Sequence, residues 1–253
     1  MKIEFVVFCE GFHDRAFWKG WLSHLGCTDP GAQLPTASTR REVSDPWGGK
    51  VTRGRFAFNS PTGHFIQVCP CGGKANIMPL VRQRLKKHTT EPARRIIINE
   101  DSDLAVGAPA DLATPATVET VVRQFDASAT QSATGEWQMY GGSLGISLVL
   151  WNAGDPPTAG VPDFQTLERL VSAAICSAKG GRGTAIRDWL NSRPNPPPAD
   201  PKEFAWSHMA GWYASSGGEA FYSNLWNDAA IATELQNRLR ANGAWDIVAD
   251  FAK

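Results

Sequence analysis

The chain has 253 residues, 42% of them hydrophobic and 20% charged, with 25 Lys and Arg balancing 25 Asp and Glu. That composition fits a soluble globular protein, long enough for one large domain or a domain with an appended lobe. No apolar stretch has the length of a membrane span, and Met1-Lys2 leads into an acidic residue and a strand. A cytoplasmic protein with no membrane partner is therefore expected.

Charge is unevenly spread. Residues 1–100 hold 15 Lys and Arg against 8 Asp and Glu, and residues 101–253 hold 10 against 17. Either the basic half faces a polyanion, or two lobes of opposite charge attract each other. Five cysteines, an odd number in a long chain, argue against a disulfide scaffold. Cys69-Pro70-Cys71 offers two thiolates to zinc, but no second Cys/His pair stands at partner spacing.

In chain order, residues 3–9 read as a strand. Residues 13–25 read as a helix burying Phe17, Trp21, Leu22 and Leu25 and stopping at Gly26. Turn-forming residues make 28–49 a loop, and 50–58 with 63–69 form a hairpin candidate. Gly72-Gly73-Lys74 opens a helix to about residue 88 with Ile77, Leu80, Val81 and Leu85 on its buried face. Residues 94–98 form a second core strand, 115–126 a short helix, 144–150 a third core strand and 163–177 a helix. Arg193-Pro194-Asn195-Pro196-Pro197-Pro198 is a stiff break before a helical, Trp-rich tail in which Trp206, Trp212, Trp226 and Trp245 are expected in a core. This order predicts an α/β fold with a mostly parallel central sheet flanked by helices.

Two acidic clusters follow the first two core strands: Glu10-Gly11-Phe12-His13-Asp14 and Asn99-Glu100-Asp101-Ser102-Asp103. Carboxylates just past the C-terminal ends of buried parallel strands fall in the crevice where open α/β sheets bind ligands. Several of them converging there would repel one another without a hard cation between them. Asp101 and Asp103, two apart, share a face and can ligate Mg²⁺ or Mn²⁺. Glu10 completes that site or acts as general acid/base, and Glu168 is the candidate ligand for a second metal. Lys74, behind two glycines, can approach a phosphate and stabilise charge developing on it. Asp14 is read as a helix-start residue, His13 as a surface residue, and Glu100 as a solvent or capping residue directed away from Asp101.

Glu10-Gly11 after the first strand and Asp101-Ser102-Asp103 after a later one resemble the paired motifs of the Toprim domain, the metal-binding fold of topoisomerases, primases and several nucleases. With Gly72-Gly73-Lys74 and Leu167-Glu168-Arg169-Leu170, the pattern is similar to that of single-domain and overcoming-lysogenization-defect-like nucleases over roughly residues 1–190. The resemblance implies a Toprim-like domain over 1–190, with an insertion at about 28–69, and a helical extension over 191–253. It also implies a Mg²⁺-dependent nuclease acting on DNA or RNA, with a partner ATPase in anti-phage defence.

Arg82, Arg84, Lys86 and Lys87, on the outer face of the helix before the second core strand, are the candidate nucleic-acid contacts. A plain solvated helix face is the competing reading. Lys179-Gly180-Gly181-Arg182-Gly183-Thr184 lacks the Gly-Lys-Ser/Thr ending and a preceding strand, so nucleotide binding there is rejected. Two other functions fit parts of the pattern. A glycosyltransferase would use Asp-x-Asp on Mg²⁺ or Mn²⁺ but leaves Glu10-Gly11 unexplained, and a non-catalytic Toprim module would bind nucleic acid or a partner protein.

Overall fold

The computed structural model describes residues 3–28, 40–44, 50–54, 56–102, 114–152, 165–182 and 218–252, with isolated positions 184, 185, 188, 192 and 194. The backbone groups into two compact units. The first comprises Met1–Glu100, Gly107–Val149 and Ile247–Lys253, and the second Asp101–Val106 and Leu150–Asp246. Among the described residues no helix is long and apolar enough to cross a membrane.

The first unit is built on a seven-stranded sheet of order β4-β5-β1-β6-β9-β8-β7. Its strands are β1 (Ile3–Cys9), β4 (Phe56–Asn59), β5 (Phe65–Pro70), β6 (Arg95–Asp101), β7 (Thr130–Gln131), β8 (Trp137–Met139) and β9 (Leu144–Trp151). β1 lies between β5 and β6 and is parallel to both, with Phe8 opposite Cys69 and Cys9 opposite Asn99. The Gly145 amide donates to the Arg94 carbonyl at 2.9 Å, which starts β9 beside the start of β6. Antiparallel strands close the edges, β4 on β5 and β8 and β7 beyond β9.

The apolar runs of β1 and β6 are buried on both faces, as central parallel strands must be. Val6, Phe8, Ile96 and Ile98 pack with Ile77 and Val81 of α2 (Ile77–Lys86) and Val118 and Val122 of α3 (Pro115–Phe125). Strand alternation turns Val7 and Cys9 to the other face. α1 (Phe12–His24) packs on β4 and β5 and buries Phe17, Trp18, Trp21 and Leu22 completely. One polar residue ties this layer together. The Trp18 indole N–H donates to Asn99 Oδ1 at 2.8 Å, and Asn99 Nδ2 donates to the Val149 carbonyl at 3.0 Å.

Three expectations are corrected. The presumed loop over 28–49 contains β2 (Arg40–Ser44), which pairs antiparallel with β3 (Lys50–Gly54) as a separate two-stranded sheet. Val43 faces Val51 and Glu42 faces Thr52 in the register, a β signal carried by too few apolar residues to read as periodic. Of the hairpin expected from 50–58 and 63–69, only β4 pairs with β5, because 50–54 pairs with β2 instead, and β5 lies directly against β1. Finally, β6 continues past its apolar run through Asn99-Glu100-Asp101. β7 and β8 were not anticipated, being two and three residues long.

In the second unit, α4 (Leu167–Ala178) packs against α6 (Ala229–Ala241), which follows α5 (Gly218–Asn224). The last helix, α7 (Ala244–Ala252), begins in the second unit and has its residues from Ile247 onward in the first. Trp226 and Trp245 are buried with ring centroids 6.4 Å apart, as a core role requires; Trp206 and Trp212 lie outside the described residues. Asp228 caps α6 by accepting the Ala230 and Ile231 amides at 3.0 and 3.2 Å, and meets Lys179 Nζ at 2.8 Å.

Asn99→Ala removes both buried hydrogen bonds and strands the Trp18 N–H. A loss of about 2–4 kcal/mol in urea unfolding is expected, and a loss under about 0.5 kcal/mol would refute this role for Asn99. The Lys179 hydrogen bond, helped by the capping amides, holds the Asp228 carboxyl below its ordinary value. Its contribution is therefore complete above roughly pH 4 and is lost as pH falls through the depressed folded value. Asp228→Ala should cost about 1 kcal/mol at pH 7, and unfolding curves of variant and wild type should converge towards pH 2.

Candidate functional site

The C-terminal ends of the parallel strands carry the first group of functional side chains. β1 ends at Cys9, and Glu10-Gly11 turns the chain into α1. Asp14 Oδ2 accepts the Gly11 amide at 2.9 Å, so Asp14 is the capping residue expected, and it is buried. The exit of β5 follows that of β1, because the Cys71 amide donates to the Cys9 carbonyl at 2.8 Å and the Gly73 amide to the Glu10 carbonyl at 2.9 Å. Gly72 and Gly73 have φ of 76° and 117°, a backbone that side-chain-bearing residues rarely adopt, so the two glycines permit this close approach. Lys74, the next residue, is thereby held one position from the amide bonded to Glu10.

The β1–β6 register sets Cys9 opposite Asn99, which puts Glu10 and Glu100 at the same level of neighbouring strands. Glu100 is only 3% exposed, which corrects its expected place in solvent. The reason is the extension of β6: with Asp101 still in the strand, Glu100 is an interior strand residue. One oxygen each of Glu10 and Glu100 is sealed from solvent. A carboxylate at such depth needs positive partners or a raised proton affinity. The same unit buries a cation, Arg15, with its guanidinium 5.1 Å from the Phe12 ring centroid.

The second unit carries Asp101 and Glu168, and brings them together at the start of α4. Asp101 Oδ1 accepts the Leu167 amide at 2.9 Å, while the Thr166 hydroxyl accepts the Arg169 amide at 3.2 Å. Glu168 lies in the first turn beside them. Both carboxylates are buried, 5% and 4% exposed, at the positive end of the helix dipole. Arg169, 1% exposed, places a buried cation in the same turn and donates to Gln165 Oε1 at 3.3 Å. All oxygens here are hard donors of the kind Mg²⁺ takes. Asp103 lies outside the described residues. Among the described residues, no three His, Cys, Asp or Glu side chains gather into a metal-holding group.

Cys9 contributes packing. Burial, then the nearby Asp14 charge, pushes its thiol well above the usual range. Its Sγ lies 3.7 Å from both the Gly11 and Cys69 carbonyl oxygens. The basic face of α2 is partly neutralised: Arg84 Nη1 meets Glu91 Oε2 at 3.0 Å, and Lys87 Nζ lies 3.9 Å from Glu91 Oε1. Arg82 is half-buried and Lys86 is exposed. The sequence reading gave no role to Arg15, Asn99 or Arg169. The one available signal for the two arginines is a charge standing among apolar residues, in Arg15-Ala16-Phe17-Trp18 and Leu167-Glu168-Arg169-Leu170.

The Asp101–Leu167 bond makes a separable prediction. Asp101→Ala should destabilise by about 1–2 kcal/mol in chemical denaturation, whereas Asp101→Asn, which keeps an acceptor oxygen, should recover most of that loss. Equal losses in the two variants would remove the anchoring role.

No family model matches the chain, and no curated protein is similar to it. Among solved structures, the chain is similar to the hypothetical protein PH0156 from Pyrococcus horikoshii OT3. The two are 14% identical with a TM-score of 0.70, and the match covers 100% of each chain. At that identity the likeness concerns the fold: an α/β protein with a mostly parallel central sheet and a helical C-terminal part.

Proposed function

We propose that the chain is a Toprim-type nuclease that hydrolyses phosphodiester bonds in DNA or RNA with Mg²⁺ or Mn²⁺. The observation that carries this reading is the placement of carboxylates at the C-terminal ends of adjacent parallel strands. Glu10 follows β1 and Glu100-Asp101 completes β6, with Cys9 and Asn99 in register. Such strand ends are where open α/β sheets act on ligands. The Gly72-Gly73 turn, hydrogen-bonded to Glu10, supports the assignment of Lys74 as a cation for the phosphoryl group.

In this reading Glu10 takes or gives the proton on the attacking water or the leaving oxygen. Asp101 and Glu168, with Asp103 as the resemblance implies, would hold the divalent cation, which when bound neutralises phosphate oxygens. Asp101 already gives one oxygen to the Leu167 amide, so it would serve as a ligand with a fixed orientation. Arg82 and Lys86 would contact nucleic-acid phosphates, with Arg84 and Lys87 sharing their charge with Glu91. A cytoplasmic enzyme working with a partner ATPase in anti-phage defence is the setting the resemblance suggests.

A second reading, a non-catalytic Toprim-like binding module, is favoured by one observation. Asp101 has a structural use at α4, where its Oδ1 already accepts the Leu167 amide. Supercoiled plasmid, single-stranded DNA and tRNA incubated with the protein in Mg²⁺ or Mn²⁺ separate the two. Cleavage that stops in EDTA and falls by about 10²-fold or more in Glu10→Gln and Asp101→Asn is expected. Binding without cleavage, unaffected by Glu10→Gln, would establish the module instead.

A further inference from the structure

The N-terminal ends of the same strands enclose an open cavity of about 390 Å³, formed wholly within the first unit. Phe5 lines it from β1, His64 from the entry to β5, Arg94 and Arg95 from the entry to β6, and Glu136 and Gln138 from the segment of β8. Its size falls in the range of small-molecule sites and exceeds what a bare ion needs.

The polar groups are fixed in place. Arg95 Nε meets Glu136 Oε1 at 2.7 Å, its Nη2 donates to Glu136 Oε2 at 3.3 Å, and its Nη1 donates to the Ile247 carbonyl at 3.3 Å. These bonds occupy the Arg95 fork and balance the Glu136 charge. Gly145 makes the arrangement possible, because a Cβ there would overlap Glu136 Oε1. On the other side, His64 Nδ1 is hydrogen-bonded to the Glu4 carboxylate, and the ring meets Phe5 edge-on with centroids 5.3 Å apart. This pairing orients the imidazole and, with the Nδ1 proton given to Glu4, leaves Nε2 as an acceptor.

Arg94 differs from its neighbour. Its amide donates to the Glu4 carbonyl at 2.8 Å and its carbonyl accepts from Gly145 at 2.9 Å, so its backbone is locked. Its side chain is exposed, and among the described residues its guanidinium has no ion pair. The cavity thus presents a planar cationic fork beside an oriented imidazole, while Glu4 and Glu136 are already paired.

We infer that this cavity is a second ligand site, which takes a small oxyanion bearing hydroxyl or amino groups. The phosphate or carboxylate lies on Arg94, and the hydroxyl or amino groups of the polar body meet His64 Nε2, which accepts, and Gln138. The inference is independent of the nuclease reading, since it uses neither Glu10 nor any carboxylate of the opposite strand ends.

Calorimetric titration of the full chain in EDTA with adenosine monophosphate, citrate and adenosine tests it. Adenosine monophosphate or citrate should bind with a Kd of about 1 mM or tighter, and which of them does so identifies the anion as phosphate or carboxylate. Adenosine, which has the hydroxyls without the anion, should not bind. Arg94→Ala, at an exposed position and with its fold checked by circular dichroism, should weaken binding roughly tenfold or more, while Glu10→Gln should not alter it. Absence of binding by both anions, equal affinity in Arg94→Ala, or loss of binding in Glu10→Gln would each overturn the inference.

Discussion

Asn99 is a carboxamide with no exposed surface, set in a strand between two others, and the order of the surrounding layer depends on how it is satisfied. Its oxygen takes the indole proton of Trp18 and its nitrogen reaches the Val149 carbonyl. One side chain therefore fixes α1 and β9 relative to β6 through bonds whose loss would leave buried polar atoms stranded. Hydrophobic burial alone would allow α1 to slide over the sheet, because it is non-directional. The Asn99 bonds set a register for that contact. They also explain why β6 outlasts its apolar run: Asn99 is held as a strand residue, and Glu100 and Asp101 follow it into the interior.

That extension governs the chemistry available at the strand ends. A carboxylate in a loop beyond a strand is solvated and weakly constrained. Glu100 and Asp101 are instead buried strand residues, Asp101 anchors the start of α4, and Glu168 follows it in the first helical turn. Buried carboxylates are costly unless cations or donors oppose them, and the chain supplies Arg15 in one unit and Arg169 in the other, both almost fully buried.

The two ends of the parallel strands differ in kind. At the C-terminal ends, glycines with positive φ let one strand exit lie on the next and bring Lys74 near the Glu10 backbone. At the N-terminal ends, a glycine without positive φ makes room for the Glu136 carboxylate beside Arg95. Both uses rest on the missing Cβ, one through backbone freedom and the other through space. Gly72-Gly73 stands out in the sequence before Lys74, whereas Gly145 sits inside an ordinary apolar run and does not.

The sequence by itself determined the core elements and the α/β class. Continuous apolar runs identified β1, β6 and β9, and helical spacing identified α1, α2, α3 and α4, because these patterns report burial that any compact arrangement must provide. It also identified Glu10, Asp14, Asp101 and Glu168 as residues near element boundaries, with Asp14 correctly read as a helix start. Tertiary structure alone decided the rest. The length of β6 and the burial of Glu100 depend on partners distant in the chain. So does the pairing of Arg95 with Glu136. Hydrogen bonds and ion pairs between residues far apart in sequence leave no periodic trace, so no reading of local pattern could have supplied them.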